Sequence, residues 1–365
     1  MVTSGVPLVL LAAGGTGGHL FPAEALAIAL KKRNIAVDLA TDRRVAHYQF
    51  PARALHFIPS ATLRGRDPLS LAKTATLLAF GTAKAWLLLG RIKPRAVIGF
   101  GGYPTVPPVL AATWRGIPTI LHEQNGVMGR ANRLLAARVT AIATGFRSLK
   151  NFNRHWEGKT TFTGNPVRPQ VISAGSIPYE PPSDLKLRLV VFGGSQGARV
   201  MSEIVPAAVG HLDAQLGTRL SIVQQARPED VESVRKTYHR LGVRAEVEPF
   251  FADLPRRIAD AQLVVSRSGA STVAELSAIG RPAILVPLPH ALDQDQSANA
   301  AALESAGGGI CIEQNDFTAE RLAAEIATLA NDPARLARMA EASRAAGTSD
   351  AAERLADLVV KVAGI

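Results

Sequence analysis

Two glycine-rich segments, each placed directly after an apolar run, limit most strongly how this 365-residue chain can fold. The first, residues 14–19 (Gly-Gly-Thr-Gly-Gly-His), follows the apolar run 7–13 and precedes a helical pattern with Pro22 near its first turn. The second, residues 193–198, follows the apolar run 187–192. Glycines between a strand and a helix allow a sharp turn and close approach of a ligand. Their matching positions predict two doubly wound α/β domains that bind ligands at the carboxyl ends of their strands.

Apolar runs alternate with helical patterns through both halves of the chain, which is typical of parallel sheets covered by helices. In the first half, strands are predicted at residues 7–13, 36–41, 54–59, 96–99, 119–122 and 139–143, with helices at 22–33, 68–91, 106–115 and 128–137. The pattern is lost at residues 164–183, which we interpret as a linker. In the second half, strands are predicted at 187–192, 219–223, 244–247, 262–265, 283–286 and 309–312, and helices at 318–330, 333–345 and 350–362.

Composition narrows the class of protein. A net charge of +11 indicates an anionic partner, whether nucleic acid, a phosphorylated metabolite or a membrane surface. The single cysteine, Cys311, excludes an internal disulfide framework and fits a reducing cytosol. The apolar amino terminus lacks the positive start of a signal peptide, since the first basic residue is Lys31. No run is judged long enough to span a membrane.

The first glycine-rich segment matches a dinucleotide-binding fingerprint only in part. Asp42 lies at the end of the second predicted strand, where such folds carry their ribose-binding acid, but Leu20 stands where the third glycine is required. A nicotinamide-dependent dehydrogenase is therefore disfavoured. His19, at the start of the helix, and Glu123, after a neighbouring strand, are candidates for a general base. Either residue could instead only fix its loop.

In the second half, polar side chains follow several strands. Ser195 carries a hydroxyl at a helix start, which suits a phosphate oxygen. Ser271, Thr272 and Glu275 follow another strand, and they predict either ribose and diphosphate binding or a helix-capping interaction. The amides and carboxylates of residues 289–300 suit a sugar. A metal site formed by His290, Asp293 and Asp295 is the competing interpretation, which no second ligand cluster supports.

A third signal is the segment of residues 69–95, which is both basic and apolar. Lys73, Lys84 and Arg91 fall on one face of a helix, with Leu71, Leu78, Ala85 and Leu89 roughly opposite. Such a helix can lie on an anionic membrane surface. It can equally pack on the sheet and expose one basic stripe to solvent.

Taken in order, these motifs resemble the MurG family of glycosyltransferases, which transfer N-acetylglucosamine to an undecaprenyl-linked muramyl-pentapeptide. The resemblance covers nearly the whole chain. Its carriers are Gly14-Gly15-Thr16-Gly17-Gly18-His19 with Phe21-Pro22, Gly101-Gly102-Tyr103, His122-Glu123-Gln124-Asn125, Gly164-Asn165-Pro166-Val167-Arg168, Gly193-Gly194-Ser195-Gln196-Gly197-Ala198, Arg267-Ser268-Gly269-Ala270 with Glu275, and Gln296 with Asn299. One departure is Asp295, since many members have a second glutamine before the one matched by Gln296.

The resemblance implies a GT-B fold, in which two Rossmann-like domains face a deep cleft. We expect an acceptor- and membrane-associated domain at residues 1–165, a UDP-N-acetylglucosamine domain at 166–345, and a carboxyl-terminal helix at 346–365 that packs back on the first domain.

In the family, the matching residues bind substrate as follows. Phe251 contacts uracil through its backbone, and Glu275 binds the ribose. Gln296 binds the sugar hydroxyls. The ribose and diphosphate are lined by Ala270, Ser271 and Thr272. Ser195 and Arg168 match diphosphate or donor contacts, and Thr16, Gly17, Gly18 and Asn125 reach the donor sugar. We also expect Tyr103, from the motif Gly101-Gly102-Tyr103, to bind substrate.

The implied reaction inverts the donor sugar and needs no cofactor. His19 is preferred as the base, with Glu123 second, and Arg267 is expected to help stabilise the departing diphosphate without a metal. The implied partners are UDP-N-acetylglucosamine, the undecaprenyl-linked acceptor called lipid I, the anionic inner face of the plasma membrane through residues 69–95, and cell-wall and division proteins. Three alternatives stay open: a UDP-N-acetylglucosamine 2-epimerase, a non-catalytic scaffold, and a nucleic-acid-binding protein. The last has no recognition motif and few aromatics for stacking.

Overall fold

The computed structural model describes residues 6–14, 17–45, 48–61, 67–183, 186–194, 197–289 and 291–365. Contacts between Cα atoms divide the chain into two units. The first unit is Met1–Arg168 together with Ser349–Ile365, and the second is Pro169–Thr348. The second unit is therefore inserted into the first, between its last strand and its last helix.

The first unit contains, over the described residues, a seven-stranded parallel sheet in the order β3-β2-β1-β4-β5-β6-β7. Its strands are β1 (Leu8–Ala12), β2 (Ala36–Thr41), β3 (Ala54–Phe57), β4 (Ala96–Gly99), β5 (Thr119–Glu123), β6 (Ala141–Thr144) and β7 (Thr160–Phe162). Its helices are α1 (Gly17–Lys32), α2 (Pro68–Ile92), α3 (Val106–Trp114), α4 (Arg130–Ala136) and, after the second unit, α14 (Ala351–Ala363). The central strands are buried on both faces, as expected for a parallel sheet covered by helices.

The second unit contains, over the part of the chain described, a six-stranded parallel sheet in the order β10-β9-β8-β11-β12-β13. Its strands are β8 (Leu187–Phe192), β9 (Leu220–Gln225), β10 (Arg244–Glu248), β11 (Leu263–Ser266), β12 (Ala283–Leu285) and β13 (Gly309–Cys311). Its helices are α5 (Pro169–Gly175), α6 (Arg199–Gly210), α7 (Ala214–Arg219), α8 (Val231–Arg240), α9 (Leu254–Asp260), α10 (Ala270–Ile279), α11 (Asp295–Ser305), α12 (Ala319–Ala330) and α13 (Pro333–Ala346).

Helix α14 belongs to the first unit although it follows the second in sequence. Leu355, Ala356 and Val359 are buried in the same core as the apolar face of α1. Arg33, at the end of α1, pairs with Glu353 and Asp357 on the exposed side of α14, at 2.8 and 2.6 Å. Helix α14 has an apolar stripe on one side and polar residues on the other. It therefore packs its apolar side against the first unit and leaves its polar side in solvent.

Two predictions about local structure were wrong. Helix α1 begins at Gly17, so Pro22 lies inside the helix and not in its first turn. The segment predicted as a linker contains α5. Its end is fixed by two arginines: Arg344 donates to the carbonyl oxygen of Gly175, and the fully buried Arg281 donates to that of Ile177. Charged side chains at the carboxyl end of a helix satisfy carbonyls that the helix leaves unpaired.

Helix α2 lies on the surface of the first unit and packs against α3. Thr82, Ala85 and Leu89 are buried, and a Cβ built on Gly81 would lie 2.0 Å from the carbonyl oxygen of Pro59, so the helix backbone touches that loop. The opposite face is open. By length and composition, Ser70–Ile92 could cross a membrane, with a mean hydropathy of 1.2. The expectation that no run reaches this length was therefore wrong.

Candidate active site

The candidate catalytic residue His19 lies where three neighbouring strands end. β1, β4 and β5 are adjacent in the sheet, so the loops that follow them meet at one edge. His19 is the third residue of α1, after β1. Gly101 and Gly102 follow β4, with φ angles of 83° and 73° that favour glycine.

Glycines form the walls around the imidazole ring of His19. A Cβ built on Gly102 would lie 3.3 Å from Nε2 of His19, and one built on Gly101 would lie 3.5 Å from Cε1. A Cβ on Gly14 would lie 3.7 Å from Cδ2. The ring of His19 therefore packs closely against these glycines, and a side chain is least tolerated at Gly102, where the Cβ would be tight and the φ angle favours glycine.

The loop after β5 supplies the polar partners of this site. Nδ1 of His19 lies 3.2 Å from Oε1 of Gln124. The same amide donates through Nε2 to the carbonyl oxygen of Phe100, at 2.8 Å. Asn165 donates to the backbone oxygen of Gln124, also at 2.8 Å. These bonds tie together the ends of β4 and β5 and the segment after β7.

Glu123 is the last residue of β5, and its side chain is buried. Its Oε1 accepts from the amide of Asn125 at 3.0 Å, and its Oε2 accepts from the amide of Gly129 at 2.9 Å and from Nδ2 of Asn132 at 2.7 Å. Burial raises the pKa of Glu123, and these hydrogen bonds oppose that effect. The carboxylate of Glu123 is buried and fixes the loop that carries Asn125, and its role as a second candidate base stays a prediction.

His122 is a buried histidine with a structural role. Its Nε2 donates to the carbonyl oxygen of Gly164 at 3.1 Å. Burial lowers the pKa of His122 to about 4, and this effect exceeds that of the hydrogen bond. The ring is therefore neutral near pH 7.

The other predicted site residues of the first unit lie near the same edge or beside α1. Gly17 and Gly18 open α1, and Tyr103 begins a short 3₁₀ helix after Gly102. The guanidinium of Arg168 stacks 4.0 Å from the ring centre of Phe21, which lies on α1. Thr16 falls outside the described residues.

In the second unit, the predicted donor-site residues follow β10, β11 and β12. Phe251 is buried under the guanidinium of Arg257, which lies 4.4 Å from the ring centre. Ala270, Ser271 and Thr272 form the first turn of α10, which Gly269 caps, and Glu275 is buried one turn later. Ser195 and His290 lie outside the described residues.

Hydrogen bonds join the loop after β11 to the start of α11. The hydroxyl of Ser268 donates to the backbone oxygen of Gln296 at 2.9 Å, and Asn299 donates to that of Ser268 at 3.1 Å. Oε1 of Gln296 accepts from the amide of Leu288 at 3.1 Å, so its NH₂ group is the part left to meet a ligand oxygen. The loop between Leu288 and Gln296 is strained, because Asp293 and Gln294 have φ angles of 62° and 55°.

Arg267 and Asp295 differ from simple ligand groups. Arg267 is buried and donates to the carbonyl oxygens of Val286 and Pro287, at 3.1 and 2.9 Å, so it supports the loop after β12. Its contact with diphosphate stays a prediction. Oδ1 of Asp295 accepts from the amide of Gln296 at 2.8 Å, and burial raises the pKa of Asp295. Over the described residues, no group of three or more His, Cys, Asp or Glu side chains is arranged to hold a metal.

Comparison with known proteins decides the family. Residues 9–144 match the glycosyltransferase family 28 N-terminal domain, and residues 188–355 match the glycosyltransferase family 28 C-terminal domain. The chain belongs to glycosyltransferase family 28. As a family 28 member, it has the two parallel-sheet domains of the GT-B fold that the sequence predicted.

Individual relatives of this family 28 glycosyltransferase agree over its full length. A protein of Rhodopseudomonas palustris named UDP-N-acetylglucosamine–N-acetylmuramyl-(pentapeptide) pyrophosphoryl-undecaprenol N-acetylglucosamine transferase is 59% identical, over 98% of this chain and 99% of the relative. The crystal structure of Acinetobacter baumannii MurG is 29% identical, with a TM-score of 0.78 over 97% of this chain and 99% of that one. A UDP-N-acetylglucosamine 2-epimerase structure, at 16% identity and a TM-score of 0.64 over 99% of this chain and 97% of that one, shares the fold alone.

Two residues of this site were not assigned from the sequence. Gln124 and Asn132 were not singled out, although Gln124 stood within a quoted motif. An amide next to a candidate acid and an asparagine in a following helix carry no distinctive spacing. Their roles emerge only when β4 and β5 are placed side by side.

Proposed function

We propose that this chain transfers N-acetylglucosamine from UDP-N-acetylglucosamine to the 4-hydroxyl of the muramyl sugar of undecaprenyl-pyrophosphoryl-N-acetylmuramyl-pentapeptide. The hydroxyl oxygen attacks the anomeric carbon, the bond from that carbon to the diphosphate breaks, and UDP leaves with the electron pair. Attack from the side opposite UDP inverts the linkage from α to β. The full-length identity of 59% to a relative named for this reaction is the observation that carries the proposal.

His19 is the group that accepts the proton of the attacking hydroxyl. Its imidazole lies at the carboxyl edge of the first sheet, in contact with Gly101 and Gly102 of the loop after β4. The two acid–base groups at the end of β5 have other partners, since Glu123 accepts from three donors and the buried His122 donates to the carbonyl oxygen of Gly164. A histidine is suited to this task near neutral pH.

The second unit binds the nucleotide sugar. The amides at the start of α10 and the hydroxyls of Ser271 and Thr272 face a leaving group that gains negative charge, which oriented donors stabilise without a metal. Glu275 binds the ribose. The NH₂ group of Gln296 donates to a hydroxyl oxygen of the sugar. Phe251 contacts the uracil. The diphosphate is bound by Ser195, Arg168 and Arg267. The reacting sugars are contacted by Thr16, Gly17, Gly18, Tyr103 and Asn125.

A transfer assay tests this proposal. The chain is incubated with radiolabelled UDP-N-acetylglucosamine and the lipid acceptor in detergent micelles, with and without EDTA. We expect label in a β-linked disaccharide lipid and one UDP released per transfer, in both conditions. Interconversion of the nucleotide sugar with its 2-epimer, or binding without turnover, would contradict the proposal. Loss of transfer with EDTA would contradict only the metal-free leaving-group step.

The first unit associates with the anionic inner face of the plasma membrane through α2. Phe80 and Leu87 are 61% and 68% exposed, and Trp86 is 43% exposed. Lys73 and Lys84 are exposed on the same helix. Apolar and aromatic side chains enter the interface while basic groups meet lipid phosphates. The helix lies on the surface and does not cross it, because its other face is packed on α3 and on the loop at Pro59.

Replacing Phe80 and Leu87 together by glutamine is expected to weaken binding to anionic vesicles by about 10²-fold or more, since each large apolar side chain contributes about 2 kcal/mol when it is fully buried. Both side chains point away from the protein, so the fold should be unchanged. Leu88, the next residue of α2, is half-buried and is left intact. Cosedimentation with vesicles measures the effect. The matched control is Phe250→Gln, which removes a 74% exposed aromatic from the second unit. Equal binding of both variants would exclude α2 as the membrane surface.

A further inference from the structure

The side-chain amide of Gln124 can face His19 in only one way. Gln124 is buried at the end of β5, and its Nε2 donates to the carbonyl oxygen of Phe100 at 2.8 Å. Turning the amide over would place two oxygens against each other at that distance. Oε1 therefore faces Nδ1 of His19, at 3.2 Å. Because Oε1 can only accept a hydrogen bond, Nδ1 of His19 is the nitrogen that carries the hydrogen.

We propose that Gln124 is a positioning residue that holds His19 in the tautomer with its hydrogen on Nδ1, so that Nε2 carries the lone pair that takes the acceptor's proton. A neutral imidazole has one N–H, and the partner of one ring nitrogen decides the state of the other. This inference rests on the proposed function for the identity of the proton donor. The tautomer itself follows from the Phe100–Gln124–His19 chain of hydrogen bonds.

The arrangement also suits the protonated product of the step. When Nε2 gains the proton, Nδ1 keeps its hydrogen and Oε1 of Gln124 continues to accept it, so no side chain has to turn. Gln124 itself is held by Asn165, which donates to its backbone oxygen at 2.8 Å. A partner that needs no rearrangement during the reaction is the condition for effective electrostatic stabilisation.

His122 provides an internal comparison. Its Nε2 donates to the carbonyl oxygen of Gly164 at 3.1 Å, so its hydrogen is on the opposite nitrogen from that of His19. Its other nitrogen, Nδ1, is buried without a hydrogen-bond partner among the described residues. The two histidines near this edge thus differ in tautomer. Only in His19, which is hydrogen-bonded to Gln124, is Nε2 the nitrogen without a hydrogen.

Nitrogen NMR on histidine-labelled protein tests the proposal without any activity measurement. The signals of His19 are those that disappear in His19→Ala. At a pH where the ring is neutral, the wild-type protein should show a protonated Nδ1 and an unprotonated Nε2 at His19, and the reverse at His122. A protonated Nε2 at His19 would overturn the proposal, even if His19 proved essential for transfer.

A variant adds the kinetic consequence. Gln124→Met keeps the length of the side chain and removes both hydrogen bonds. We expect the His19 signals to shift toward the other tautomer and kcat to fall about 10²-fold, while KM for UDP-N-acetylglucosamine changes little. The matched control is Gln262→Met, which removes a buried glutamine that bridges the amide of Arg188 and the carbonyl oxygen of Glu180 in the second unit. Equal losses in kcat in the two variants, or an unchanged tautomer in Gln124→Met, would contradict the assignment. Absence of transfer by the wild-type protein would instead contradict the proposed function and leave the tautomer result standing.

Discussion

Replacing His19 by alanine is expected to lower kcat for glycosyl transfer by about 10²–10⁴-fold, the usual contribution of a positioned general base. The imidazole lies between Gly14, Gly101 and Gly102, and its removal leaves the polar loop after β5 in place. The wild-type enzyme should lose activity at acidic pH as the imidazole is protonated, and the variant should lack that dependence. Steady-state transfer measured from pH 5 to pH 9 provides both readouts.

The matched control for this experiment is His155→Ala. His155 is exposed in a 3₁₀ helix of the first unit and interacts with Asn153 at 2.8 Å. This variant should keep the wild-type rate and pH profile. Near-normal turnover of His19→Ala with an unchanged profile would exclude His19 as the base. The imidazole would then be only a packing group of the glycine-rich edge.

The second large effect is expected on stability. Glu123→Ala removes the acceptor of three hydrogen bonds, which the amides of Asn125 and Gly129 and the side chain of Asn132 donate. Each lost hydrogen bond to this carboxylate costs about 1–2 kcal/mol, so the free energy of unfolding of the first unit should fall by about 3–5 kcal/mol. Urea unfolding followed by tryptophan fluorescence measures this directly, since Trp86, Trp114 and Trp156 all lie in the first unit.

Glu246→Ala is the control for this measurement. Glu246 is an exposed carboxylate of the second unit that pairs with Arg257 at 2.6 Å, and its loss should leave the tryptophan transition unchanged. An unfolding midpoint of Glu123→Ala equal to that of the wild type, combined with a large loss of kcat, would return Glu123 to the role of proton acceptor.

Much of the fold could be predicted because apolar runs and glycine positions are local signals. The strands at Ala36–Thr41, Ala96–Gly99 and Leu187–Phe192 agree with the predicted bounds. The short edge strand at Thr160–Phe162 was missed, since three residues of mixed polarity give no period. Helix α5 was also missed. Its stability depends on Arg281 and Arg344, which are more than 100 positions away and whose contacts no local pattern contains.

The candidate site divides in the same way. The sequence could show that His19 and Glu123 follow strands, and therefore that both lie at one edge of the sheet. It could not show that the carboxylate of Glu123 turns inward onto Asn132 while the imidazole of His19 lies among glycines. The direction of a side chain depends on the packing of three loops. For the same reason, the amide of Gln124 gained a role only from its distance to Phe100.

The insertion of the second unit before α14 has a consequence for biosynthesis. The first unit cannot complete its core when its sheet has left the ribosome, because Leu355, Ala356 and Val359 of α14 are translated only after the whole of the second unit. Until then, the outer face of α1 lacks its apolar cover and exposes aliphatic surface to solvent. The core of the first unit therefore stays incomplete until the second unit has been synthesised. Completion of the first unit's core therefore depends on the late docking of α14, in which Arg33 at the end of α1 pairs with Glu353 and Asp357.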